Sequence, residues 1–137
     1  AIPDLSLQTL DDIVYAAFNA NWTALYKALD VLFSENTSFM LVLRSLQNHG
    51  RRLEHVHSQM ATGQSFDNVV ETMHPKLFYK LVPQFRQQLN KWSPTRLQKM
   101  QADMMQLEAD LKTYSADLSN VLMGQWLLDH MSLPEAA

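Results

Sequence analysis

The five histidines are the side chains in this sequence best suited to metal or acid–base chemistry. His55 and His57 lie two residues apart. On a helix that spacing points them to nearly opposite sides, so they cannot share an ion as an i,i+4 pair would. His49, His74 and His130 add no local ligand spacing. The better reading is of surface or internally bonded histidines, with no metal site. A phosphate-binding loop needs clustered glycines, a lysine and a hydroxyl at fixed spacing. The three glycines, Gly50, Gly63 and Gly124, are isolated, so ATP hydrolysis is not expected. Cysteine is absent, which removes thiolate chemistry and a disulfide framework and is compatible with a cytoplasmic address. No nucleophile–base pair stands out. The expectation is no catalytic residue, no cofactor and no small-molecule substrate.

Charge offers a different kind of chemistry. Lys76, Lys80, Arg86, Lys91, Arg96 and Lys99 occur with no acidic residue between Glu71 and Asp103. The plainest reading is a solvated basic face, partly paired within the domain. A sharper one is a contact face for an acidic neighbouring protein. Direct nucleic-acid binding ranks third. The chain carries a net charge of −3, and the segment lacks the exposed aromatic interleaving that single-strand binding usually needs.

Apolar residues offer a third possibility. Eight methionines make the chain rich in flexible thioethers, which fill irregular cores and suit adaptable interfaces. Met100 and Met104 read as core, while Met105 lies beside their stripe and is free to face a partner. The final helix carries Leu118, Val121, Leu122, Met123, Trp126, Leu127, Leu128 and Met131 over much of its circumference. A helix apolar on several sides is buried on several sides. The candidate protein-interface residues are therefore Met105, Leu118, Leu122, Met123, Trp126, Leu127 and Met131.

These residues must be positioned by helices. The chain has 137 residues and 47% hydrophobic content, enough for one domain with one core. No apolar run approaches the ~20 residues of a membrane span, and no signal peptide is visible. Every patterned segment has helical spacing, so the expected class is all-α: a compact bundle of five to seven antiparallel helices over residues 7–131. Residues 1–6 read as a linker from a preceding domain and 132–137 as a tail, as if cut from a longer protein.

Ser38 to Met60 is the organising stretch. Phe39, Val42, Leu43, Leu46, Leu53, Val56 and Met60 form its stripe, Ser38 caps it and Gly63 closes it. Gly50 and Arg51-Arg52 are placed on its exposed or semi-exposed side. Two helices are expected before it. The first runs from Leu7 to Asn19. The second runs from Trp22 to about Glu35, with Asn21 as cap and Trp22, Leu25, Leu29, Leu32 and Phe33 inward. The short Asn36-Thr37 turn would make the second helix an antiparallel neighbour of the long one. Beyond Gly63, Ser65 caps a short helix to Met73. The segment Leu77, Phe78, Leu81, Val82, Phe85, Leu89, Trp92 keeps helical spacing but should break near Leu81–Val82, because Pro83 fits only a first turn. Ser93-Pro94 starts a helix to about Tyr114, with Leu97, Met100, Met104, Leu107 and Leu111 inward. Asp117 or Ser119 starts the last, which ends near Met131.

Four features carry a resemblance. They are a polar cap before a helix of a few turns, the Glu35-Asn36-Thr37-Ser38 turn, Arg51-Arg52-Leu53, and the block Lys80, Pro83, Phe85, Leu89, Trp92, Ser93. In this order, the chain from about Leu7 to Met131 resembles the C-terminal helical domain of the bacterial DNA polymerase III δ subunit, in its proteobacterial form. It departs from that pattern at Gly50, where a larger residue is usual, and at Asn21, where an acidic cap is usual. The resemblance implies a collar domain that packs with the γ/τ and δ′ subunits of the clamp loader, the machine that places the sliding clamp on primed DNA. It also implies a parent subunit within the polymerase III holoenzyme that hydrolyses no ATP. The sliding clamp would be touched only through an N-terminal domain absent here, and DNA at most indirectly. The alternative is a small helical nucleic-acid-binding or regulatory domain using the Lys76–Lys99 face.

Overall fold

The computed structural model describes residues 2–34 and 38–131, with side chains from residue 10 onward except at 32 and 33. The described residues form seven α-helices: α1 Ile2–Phe18, α2 Trp22–Ser34, α3 Phe39–Ala61, α4 Phe66–Glu71, α5 Val82–Lys91, α6 Pro94–Leu111 and α7 Ala116–His130. No strand occurs among the described residues. The chain is therefore all-α, as its periodicity predicts. The expected Leu32, Phe33 and Asn36-Thr37 features lie outside what is described.

Local signals set the helix ends. Serine hydroxyls accept from otherwise unpaired first-turn amides at Ser38, Ser65, Ser93 and Ser115. Asn21 does the same for α2, its Oδ1 accepting from the Ala24 amide at 3.3 Å. Pro94 and Pro83 occupy first turns, where a missing N–H costs nothing. A single 3₁₀ turn, Tyr79–Leu81, precedes α5 where the break is expected. Gly63 closes α3 in the left-handed region, at φ 106°. Ala20 closes α1 in the same region, at φ 58°. The Asn21 amide reaches back to the Ala16 carbonyl at 2.8 Å across that turn.

Several expectations are corrected. Helix α1 begins at Ile2, so it starts before the expected Leu7 and residues 2–6 are helical; Pro3 sits in a first turn that tolerates it. The start of α7 is capped by Ser115, not by Asp117 or Ser119. Ser119 is instead buried and donates to the Leu111 carbonyl at 2.9 Å. The principal contacts of α2 are with α1, and it also meets α7, rather than lying along α3. Leu25 and Leu29 of α2 are buried, and α3 spends its own surface on α1, α4, α5, α6 and α7.

Helix α3 is thus the axis of the bundle. Val42, Leu43, Leu46, Leu53 and Val56 are wholly buried along it. Phe39 is half-buried, while Met60, read as part of the stripe, is exposed. Gly50 faces inward, not outward. A Cβ built there would lie 2.5 Å from Gln101 Nε2 of α6. That amide donates to the Gln47 carbonyl at 2.9 Å, so the glycine lets α6 reach the backbone of α3.

Candidate assembly surface

The histidines resolve into structural roles. His49 is buried among the rings of Tyr15, Phe18 and Phe85, with centroids 4.8–5.5 Å away. Its Nε2 faces Gln88 Oε1 at 2.6 Å, so the ring donates. Gln88 in turn donates to Asn19 Oδ1 at 2.8 Å, and Asn19 to Gln84 Oε1 at 2.8 Å. This relay ties α1, α3 and α5 together. Burial pushes the His49 pKa down to about 4, against the bond to Gln88, which favours the cation. His57 donates to the Trp92 carbonyl at 2.8 Å, and Trp92 donates to the Phe18 carbonyl at 3.0 Å. His55 is exposed. No group of three potential metal ligands gathers among the described residues.

The basic residues do not act as one free patch. Lys76 pairs with Glu71 at 3.7 Å and Lys99 with Asp103 at 3.1 Å, the two acids that bracket the run. The Arg86 guanidinium lies 5.0 Å from the Phe66 ring, and that of Arg96 lies 4.6 Å from the Trp92 ring. Arg96 also donates to the Lys91 carbonyl at 3.4 Å. Lys80 stands 5.9 Å from the Tyr79 ring. One expectation fails here. Phe78 is not part of the inward stripe: it is exposed, as is Tyr79, because residues 76–78 are not helical and turn the ring outward. Two aromatics therefore do stand beside Lys80.

The apolar candidates divide. Met123, Leu127 and Met131 are fully buried within the bundle and are not available to a partner. They lie at i, i+4, i+8, the side of α7 that faces the core. Leu122 and Trp126 are half-buried against that core, with Trp126 stacked on His130 at 4.3 Å. Leu118 and Met105 are exposed. Met105 lies in a shallow depression with Gln47, Arg51, Gln101 and Glu108. Glu108 accepts from Gln47 at 3.2 Å and pairs with Lys112 at 3.1 Å, and these bonds hold its carboxyl below the usual range.

Of the exposed apolar residues that sequence reasoning missed, two share a surface. Val121 is 69% exposed on α7 and Tyr26 is 50% exposed on α2. Both line a groove between these helices, with Leu29, Asp30, Asn120, Gly124, Gln125 and Leu128. Val121 was findable, since it lies one turn from Leu118; Tyr26 carried no signal beyond lying off the Leu25–Leu29 stripe. The chain thus exposes apolar side chains along one flank of α2 and α7, a surface suited to another protein. No described helix is long and apolar enough to cross a membrane. Comparisons with family models, with curated proteins and with solved structures found no match.

Proposed function

We propose that this chain is an assembly module: a C-terminal collar domain of the DNA polymerase III δ subunit, holding it to γ/τ and δ′ in a bacterial, cytoplasmic clamp loader. One observation carries the interaction reading. Helix α7 is apolar on several sides, yet the bundle fully covers only the side of Met123, Leu127 and Met131 and half-covers Leu122 and Trp126, leaving Leu118 and Val121 exposed. Apolar groups held in water on a helix gain free energy when a partner covers them. The particular partners come from the sequence resemblance, which the all-helical architecture fits. In this reading the domain has no catalytic role and meets the sliding clamp and DNA only through the rest of its complex.

The test is a pull-down of the 137-residue chain against purified γ/τ and δ′. Capture of either, weakened by Val121→Asp with the melting curve unchanged, supports the proposal. No capture by the wild-type chain overturns the assignment to the clamp loader.

The exposed Phe78–Tyr79 pair beside Lys80 favours a second reading, contact with single-stranded nucleic acid through stacking. It predicts DNA affinity that falls steeply with salt. The pairing of Lys76 and Lys99 with carboxylates weighs against it.

A further inference from the structure

Arg51 and Arg52 are adjacent on α3, and neither makes an ion pair with a described residue. Uncharged acceptors hold both heads. Arg51 Nη1 donates to Asn48 Oδ1 at 2.7 Å, and Arg52 Nη2 donates to the Pro75 carbonyl at 2.8 Å. A neutral acceptor fixes a guanidinium in place and leaves its charge uncancelled.

Both arginines line one depression of about 290 Å³ between α3 and the residues that follow α4. His55 lies at i+4 from Arg51 and shares its face of the helix. Thr72, Met73 and His74 form the opposite wall, and the bond from Arg52 to Pro75 ties that wall to α3. Arg51, His55 and His74 are exposed and Arg52 is half-buried. The Thr72 hydroxyl is already committed to the Val69 carbonyl at 3.0 Å. That leaves two guanidiniums and two imidazoles facing the space. No carboxylate is among the described residues that line it, although the chain has 14 acidic residues. Two acids stand nearby and outside it. Glu54 borders Arg51 in two other depressions, and Asp11 of α1 lies within the field of Arg52.

We propose that this depression binds the phosphate group of a phosphomonoester. The charge selects the ligand. A monoester phosphate carries about −1.5 to −2 at neutral pH and three acceptor oxygens. The planar forks of two guanidiniums match those oxygens, and imidazole N–H groups add further donors. A phosphodiester has one charge and two free oxygens, so it satisfies fewer of these donors. No phenyl or indole ring lines the depression to stack on a base, so recognition rests on the phosphate itself. A small molecule and a phosphorylated side chain present the same group. The site shares no residue with the α2–α7 flank, so it stands apart from the assembly reading.

The probes are methyl phosphate and dimethyl phosphate, titrated at pH 7 and fixed ionic strength while backbone amide shifts of the 137-residue chain are recorded. Saturable shifts centred on Arg51, Arg52, His55 and His74 are expected for the monoester, with the diester at least tenfold weaker. Arg51→Gln should weaken the monoester at least fivefold with an unchanged melting temperature, because this side chain is exposed and bonds only to Asn48. Arg51→Glu should abolish binding. Arg52→Gln should weaken it as much as Arg51→Gln; should losing the bond to Pro75 loosen the fold, the Arg51 variants still decide the matter. Lys27→Gln removes a cation from a separate cleft and should leave affinity within twofold. A phosphoserine pentapeptide separates the sources. Tenfold tighter binding than methyl phosphate assigns the group to a protein, and anything less assigns it to a small molecule; either supports the site. Unsaturable shifts, shifts centred elsewhere, or equal losses in Arg51→Gln and Lys27→Gln would overturn it. Equal binding of the diester would also overturn it, in favour of a nucleic-acid backbone.

Discussion

Two helix seams in this bundle each contain a glycine, and they are opposites. At the α3–α6 seam, Gly50 is buried and Gln101 occupies the space a side chain would take. At the α2–α7 seam, Gly124 faces open space and its neighbours Val121 and Tyr26 are exposed. The first seam is finished by the chain itself. The second has the same ingredients, small residue and apolar flanks, with no occupant among the described residues. The lesson is that a glycine in a helix permits a close approach, and only the packing shows whether one is made.

That contrast can be broken or sharpened by measurement. The largest effect should come from placing the same charge on the two sides of α7. Leu127→Asp buries a carboxylate in the core and should cost about 4 kcal/mol or more, whereas Val121→Asp should change stability by less than about 0.5 kcal/mol. Urea denaturation of both variants measures the difference; comparable losses would mean the exposed side is in fact packed.

Acid should strain the finished region next. His49 is held at a pKa of about 4 against an ordinary 6.5, so it stays neutral in the fold while the unfolded chain takes up a proton. Its contribution is fully present above pH 6.5 and is lost as pH falls toward 4, amounting to about 3 kcal/mol. The wild type should therefore lose about that much more than His49→Gln between pH 7 and pH 4, read from urea midpoints. Parallel curves would mean that His49 is hydrated.

Smaller effects separate the two glycines. Gly50→Leu should cost about 2 kcal/mol, because the new side chain displaces Gln101 and its bond to Gln47. Gly124→Ala should do the reverse and stabilise by about 1 kcal/mol, since it gains helix propensity and meets nothing. Thermal melts of the pair give the signs directly. A destabilised Gly124→Ala would mean that the seam is closed from within.

Much of the fold was legible because it is written locally. The stripe Leu97, Met100, Met104, Leu107, Leu111 is buried as its spacing predicts, and Ser38, Ser65 and Ser93 cap where they should. Pro83 marks the start of α5 for a steric reason that operates within one turn. The site was less legible. Leu118 and Met105, named as interface candidates, are exposed, but Met123, Leu127 and Met131 were assigned to a partner and belong to the core. On a helix apolar all round, periodicity names no inward side.

What the sequence determined alone is the set of helices, because caps, prolines and a period of 3.6 act over a few residues. What the tertiary structure decided is which apolar side of each helix is covered. That depends on where α1, α3 and α6 come to rest, and so on contacts between residues far apart in the chain. Gly50 and Gly124 look the same in one dimension; only packing makes one a joint and the other an opening.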